Sequence, residues 1–293
     1  MHSAPALNPE FPRRFSMEAT RPDADEIARL ATVLPRGTQV YVTAVPTVGP
    51  GELIAIAAAL RKAGLEPVAH IAARRLVSAE ALQHILKGLC GEAGVRRLLV
   101  IGGDVDSAGP FSDALAVIQK GRLREAGIDE IGIGAYPEGH PHIPAGRLEA
   151  SLDEKIANAV ALGLGVHIVS QFSFSGERIV AWLKQLRTCG IVQPVKVGLA
   201  GPTSVPALIR YARRCGVNAS LRGLMSGTAT GLIGQVVGNV GPGRILETLA
   251  VTDGLGDIAP HYFSFGGAIE TARYACEAAH GVHAAGHAMP QPH

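Results

Sequence analysis

An eight-stranded parallel (β/α) barrel of the TIM type, one α/β domain over residues 13–279, is the fold class that the sequence predicts. Three observations carry the prediction. Apolar strand segments alternate with helical segments through eight units. The strand segments are continuously apolar, the mark of strands buried on both faces and covered by helices. The competitor, a doubly wound open sheet, lacks its signature, because no GxGxxG joins a strand to a helix and no P-loop is present.

The units follow in order. Residues 13–17 form the first strand, ending at Glu18, and Pro22-Asp23 supply the start signals for a helix over 24–33. The second strand spans 39–43; Gly49-Pro50-Gly51 then leads into a helix over 52–62, with Gly64 as its stop. Residues 66–71 are the third strand, followed by a helix over 78–90 that Ser78 caps and Gly91 ends. The fourth unit is a strand over 97–101, the turn Gly102-Gly103-Asp104 and a helix over 111–120. The fifth strand, 130–134, runs into a polar turn, and its helix spans about 148–162 with Ser151 and Glu154 as a capping box. Strands at 166–170 and 194–199 carry helices at 175–187 and 203–214. A Gly-rich apolar interval over 222–243 suits one or two extra helices, before an eighth strand at 260–265 and a closing helix at 268–279.

Composition narrows the function. In 293 residues, 47% apolar with a mean hydropathy of +0.22, there is ample material for a core. Twenty-seven basic and 25 acidic residues give a formal charge of +2 with no like-charged block, and only 4% of residues are aromatic. The footprint of a nucleic-acid binder and a stacking platform for single strands are both missing, so small molecules are the expected partners. Cys90, Cys189, Cys215 and Cys276 show neither CxxC spacing nor disulfide density, so they read as buried reduced thiols, which suits a cytoplasmic protein. No segment reaches the length of a membrane span, and residues 1–12 lack the pattern of a leader. Residues 1–12 read as a flexible lead-in and 280–293 as a flexible tail containing histidines.

In a parallel barrel the site assembles just past the carboxyl ends of the strands. Those positions hold Glu18, Thr43, His70, Asp104, Tyr136 with His140, Gln171 with Phe172 and Phe174, and Ser264. Two carboxylates on different strands suit divided labour. Glu18, after the apolar Phe15 and Met17, would be the desolvated acid; Asp104, beside the bare Gly102-Gly103, would act through its charge on a flat ligand. Metal-ligand spacing is absent apart from His140 and His142 two residues apart, and no metal is expected. There is no GxSxG elbow and no cysteine at a strand end. Lys196 reads as a solvent-reaching side chain, with Schiff-base chemistry of the aldolase kind left as an alternative.

These residues, in this order, resemble the methylenetetrahydrofolate reductases over about residues 11–279. Ala135-Tyr136-Pro137-Glu138-Gly139-His140-Pro141 is similar to the family's AYPExHP loop, the most specific of the matches. Phe15-Ser16-Met17-Glu18 is similar to its first-strand FEFFPP-type motif, Ile101-Gly102-Gly103-Asp104 to LRGD, Ser170-Gln171-Phe172-Ser173-Phe174 to TQFFF, and His261-Tyr262-Phe263 to HFYT.

The resemblance implies a bound flavin, FAD ahead of FMN or none, charged by NADH or NADPH, that passes a hydride to methylenetetrahydrofolate. It implies catalytic roles for Glu18, as general acid to the folate nitrogen, and for Asp104. Thr43, His70, Gly103, Asp104, Tyr136, His140 and Lys155 would hold the flavin, and Glu18, Asp104, Gln171 and Phe172 the folate. A homo-oligomer that binds neither membrane nor nucleic acid is expected. Two positions depart from the pattern: the arginine of LRGD is Gly102 here, and the arginine after the last strand is Gly267. Alternatives are a flavin-free reductase, another folate or pterin barrel enzyme such as a methyl transferase or lyase, and a non-catalytic partner barrel.

Overall fold

Parallel strands need cover on both faces, and this chain supplies it by closing them on themselves inside a ring of helices. A computed structural model describes residues 11–281 apart from 46, 107–108, 215–216, 218–238, 241 and 266. Its strands are β1 (Ser16–Ala19), β2 (Gln39–Val42), β3 (Glu66–Ala72), β4 (Arg97–Ile101), β5 (Glu130–Ala135), β6 (Gly165–Ser170), β7 (Val195–Ala200), β8 (Thr203–Ser204), β9 (Asn239–Val240) and β10 (Ile258–Phe263). The first seven and β10 close a barrel in the order β1-β10-β7-β6-β5-β4-β3-β2, every pairing parallel. The predicted fold class is the one observed. Strands β8 and β9 form an antiparallel pair outside it.

The helices are α1 (Ala24–Val33), α2 (Pro50–Lys62), α3 (Ala79–Gly91), α4 (Ala114–Lys120), α5 (Ala145–Ala161), α6 (Gly176–Thr188), α7 (Val205–Arg214), α8 (Gly243–Ala250) and α9 (Ala268–Ala279). Side-chain caps place several starts: Asp23 accepts from the Glu26 amide at 2.8 Å, Ser78 from Ala81 at 3.1 Å and Ser175 from Arg178 at 3.2 Å.

Several boundaries differ from expectation, among them the first strand, Ser16–Ala19 rather than 13–17, and the last barrel strand, Ile258–Phe263 rather than 260–265. Phe11–Arg13 is a 3-10 turn whose Phe11 is buried, so part of the expected lead-in belongs to the core. Helix α4 begins after Asp113, which accepts from Ala116 at 2.9 Å; Phe111, expected inside the helix, packs in the core ahead of it. Helix α5 begins at Ala145, so Ser151 and Glu154 lie inside it and form no capping box; Glu154 faces Arg147 at 3.5 Å instead. Residues 203–204, expected to start a helix, pair with β9. Most of the 222–243 interval, residues 1–10, Cys215 and residues 282–293 lie outside the described residues. Of the other cysteines, Cys189 is exposed, against the reading of buried thiols, while Cys90 and Cys276 are half-buried. Among the described residues no helix is long and apolar enough to cross a membrane.

Strand alternation sorts side chains into two sets. Met17, Val40, Val42, Leu98, Val100, Ile131, Ile133, Ile168, Val197 and Leu199 join the helices in the main core. The alternate positions face the barrel interior, where Tyr41, Val68, Leu99 and Val169 form a separate small cluster. Around it lie Ser16, His70, His167 and His261, all buried and polar. Gly132 makes the space: a Cβ there would come within 2.6 Å of His167 Nε2.

Candidate active site at the carboxyl end of the barrel

Glu18 is the third residue of β1, so its side chain points inward near the carboxyl mouth. Its carboxylate meets three groups from neighbouring strands. His70 Nε2 on β3 and His261 Nε2 on β10 each lie 3.6 Å from Oε1, and Thr43 after β2 donates its hydroxyl to Oε2 at a long 3.5 Å. The two imidazole nitrogens have no hydrogen-bond partner among the described residues. Burial outweighs the weak partners and raises the Glu18 carboxyl above its ordinary range. The same desolvation lowers His70 and drives His261 well below the ordinary imidazole value. Burial thus favours the uncharged form of all three groups, the carboxyl and the two imidazoles.

Local hydrogen bonds fix it. Ser16 Oγ meets His261 Nδ1 at 2.9 Å, which leaves Nε2 aimed at Glu18. The Ser264 hydroxyl donates to the Glu18 carbonyl at 2.8 Å and ties the end of β10 to β1.

On the opposite rim, Tyr136 and His140 stand edge to face with ring centroids 5.1 Å apart. Burial lifts the Tyr136 hydroxyl and lowers His140, and the nearby Arg74 guanidinium also bears on both. Arg74 follows β3, donates to the Gly103 carbonyl, and carries a terminal nitrogen 3.9 Å from where a Cβ on Gly102 would begin. A guanidinium from the neighbouring strand therefore stands beside the position where the resemblance leads one to expect arginine. Its neighbour Arg75 pairs with Asp104 at 2.5 Å and donates to the Ala44 carbonyl at 3.2 Å. The Nε atoms of Arg74 and Arg75 are buried with no partner among the described residues.

The expected site residues fall into separate places. Glu18, Thr43 and His70 come together, and Tyr136 and His140 form a second group reached by Arg74. Asp104 is 60% exposed on the rim and paired to Arg75 rather than buried with Glu18. His70, expected against a cofactor, is turned into the acid cluster at 4% exposure. Gln171 folds back, its side-chain oxygen accepting from the Phe172 amide at 3.0 Å. Phe172, expected against a substrate, is fully buried; the partly exposed rings of its cluster belong to Phe174, Phe263 and Phe265. Lys155 is on α5, its amine lowered by burial and held by the charges of Asp113 and Glu154. Gly103 and Gly267 adopt φ of +95° and +122°, the left-handed region that favours glycine. A Cβ at Gly267 would also come within 2.5 Å of Glu270 Oε2, so an arginine has no place there. Among the described residues no group of three His, Cys, Asp or Glu is placed to hold a metal.

Sequence reasoning misses His261 as a site residue. Its one signal is the inward alternation of the last strand, hidden because a histidine between Pro260 and Tyr262 reads as core. Lys196 does not reach solvent at a strand end: as the second residue of β7 it is half-buried at the amino end of the barrel, its amine brought down to about 8 by desolvation. That is the end opposite the acid cluster, which removes the aldolase-like arrangement.

Comparison with known proteins places the chain among folate enzymes. Residues 11–221 match the family model described as methylenetetrahydrofolate reductase. A solved structure described as an uncharacterized protein from Clostridium thermocellum that binds two copies of 5-methyl-5,6,7,8-tetrahydrofolic acid shares the fold, with a TM-score of 0.54 at 11% identity, over 92% of this chain and 95% of that one. Dihydropteroate synthase from Thermus thermophilus aligns at a TM-score of 0.48 and 14% identity, over 92% and 93% of the two chains, too distant to carry weight.

Proposed function

This chain belongs to the methylenetetrahydrofolate reductase family, and from that premise we propose that it reduces 5,10-methylenetetrahydrofolate to 5-methyltetrahydrofolate, with NADH or NADPH as the electron source and a flavin as carrier. The observation that carries the reading is Glu18, a carboxyl buried at the mouth of the barrel between His70 and His261, where burial favours its protonated form. The folate-binding barrel of related fold supports the substrate class.

Ring opening of the substrate needs a proton on the departing nitrogen, and a carboxyl whose protonated form is favoured by desolvation is suited to give one. Glu18 supplies it; His70 and His261, neutral and 3.6 Å away, orient the acid without stripping its proton. Asp104 sets a negative charge at the rim, balanced by Arg75 until a cationic substrate form develops.

The rim suits a flavin on two counts. Gly134 faces open space, with no atom within 4 Å of an added Cβ, next to the Tyr136 and His140 rings. The orphaned Nε atoms of Arg74 and Arg75 offer donors that a phosphate accepts. Thr43, Gly103, Asp104, Tyr136, His140 and Lys155, with His70 behind them, would hold the group, and FAD is the form proposed. Bound there, a reduced flavin supplies the hydride. A second reading, direct transfer from the nicotinamide without flavin, is favoured by Gly102 and Gly267, where two arginines are lost.

The test is an absorbance scan of the purified protein with FAD, before and after anaerobic NADPH or NADH, then with methylenetetrahydrofolate. The proposal expects yellow protein that bleaches and then recolours. Colourless protein that still consumes NADPH with the folate selects the flavin-free reading, and no folate-dependent turnover with either nicotinamide sinks both.

A further inference from the structure

The amino end of the barrel carries chemistry that the proposed reaction does not use. A cavity of about 410 Å³ opens there, with Arg14, Arg36, Gln39, Glu130, Lys196 and Asp257 in its wall. Its acids are already engaged. Asp257 pairs with Arg14 at 2.5 Å, and Glu130 receives His167 at 2.6 Å and Arg97 at 2.7 Å. The carbonyl-rich termini that gather at this end have their own donors: Arg187 serves Leu255, Ile191 and Gln193, and Arg61 serves Ala93 and Gly94.

Two cations are left over. Among the described residues neither Lys196 nor Arg36 forms a hydrogen bond or ion pair, and the contact Lys196 does make is with the face of Tyr41, 5.9 Å from the ring centroid. A cation over an aromatic face recovers only part of the solvation that burial removes. Tyr41 is itself held, its hydroxyl 2.8 Å from His167 Nε2, so the ammonium has nothing further to gain from it. In the same wall the Gln39 side-chain oxygen is buried with no donor among the described residues. A half-buried ammonium and an exposed guanidinium in the wall of one cavity, neither taken up by an ion pair among the described residues, are a preformed seat for a small anion.

We propose that this cavity binds a small anion of the carboxylate or phosphate class, held by Lys196 and Arg36, at a site separate from the one at the carboxyl end. The site does not depend on the reductase reading. Glu130 and Asp257 exclude large polyanions, because each keeps a negative charge on the rim even when paired.

The experiment titrates inorganic phosphate, and in a second arm malonate, into the full chain at constant ionic strength set with chloride. Heat of binding is one readout; the other is reductive methylation of Lys196, followed by peptide mass. Saturable binding that slows Lys196 methylation about tenfold or more is the expected result, and the arm that binds more tightly identifies phosphate or carboxylate. Lys196→Met and Arg36→Ser should each weaken binding about tenfold or more, the loss of one charge-assisted hydrogen bond, while Arg75→Ala at the opposite end leaves the protection of Lys196 from methylation unchanged. Should Lys196→Met fail to fold, Arg36→Ser and the methylation readout decide. Protection of Lys196 lost in Arg75→Ala but kept in Arg36→Ser, or methylation no slower than in chloride, would overturn the proposal.

Discussion

Two glutamates point into the same barrel, and their carboxyls are shifted in opposite directions. Glu130, at the amino end, sits 2.6 Å from His167 Nδ1 and 2.7 Å from Arg97 Nε, and these partners bring its carboxyl down to about 2. Glu18, at the carboxyl end, has a 3.5 Å hydroxyl and two imidazoles at 3.6 Å, contacts too long to offset its burial, so its carboxyl is raised. One residue type in one interior thus gives a fixed anion that braces the fold and a proton that is available to leave. The difference is made by the deeper burial of Glu18 and by about 1 Å in the distance to the nearest partners, because a carboxylate is stabilised by hydrogen bonds of normal length and penalised when buried without them.

Removing the proton at the mouth has the largest expected effect. Glu18→Gln should slow the folate half-reaction by about 10²–10⁴, the usual contribution of a general acid, and leave reduction of bound flavin by the nicotinamide unchanged in stopped-flow traces. Equal loss in both half-reactions would remove the acid role.

Breaking the brace comes next. Glu130→Gln should cost about 2 kcal/mol in urea unfolding at pH 7, after allowing for the partial exposure of the pair. Because the folded carboxyl titrates below its unfolded value, that stability is present above the unfolded value of 4.5 and is lost as pH falls toward about 2, so the cost of the substitution should shrink over that window.

The imidazoles sharpen the contrast from the other side. His70, His167 and His261 are all lowered from 6.5, so below pH 6.5 the unfolded chain takes up protons that the folded one refuses, and stability falls. His261→Gln should reduce that slope by an amount that approaches about 1.4 kcal/mol per pH unit a unit or more below the unfolded value, measured by unfolding at a series of pH values. The smallest effect is expected at the rim. Arg75→Ala, which removes one partner of the largely exposed Asp104, should change stability by less than about 1 kcal/mol.

The barrel is legible in the sequence because its strand segments are apolar throughout and its helix starts carry Asp23, Ser78 and Ser175 in capping positions. The mouth is legible in part: Glu18, Thr43 and His70 occupy adjacent strand ends, so order along the chain maps onto order around the barrel. Interior contacts across the barrel are not. His261 reaches Glu18 because β10 closes against β1, and Tyr41 meets His167 across a space that Gly132 leaves free. Neither closure nor a diameter is written in local pattern. The burial of Phe172 escapes sequence reasoning for a related reason, since alternation after a strand's last residue depends on how the loop turns. The arginine missing at position 102 is likewise answered by Arg74, which neighbours it only because β3 and β4 pair.

The ionisation of the two glutamates can be read together by carbon NMR of protein labelled at the glutamate carboxyl, titrated from pH 3 to 8, with Glu18→Gln and Glu130→Gln for assignment. The account predicts a Glu18 carboxyl still protonated well above the ordinary 4.5 and a Glu130 carboxylate ionised across the range. Both carboxyls titrating together near 4.5 would contradict it.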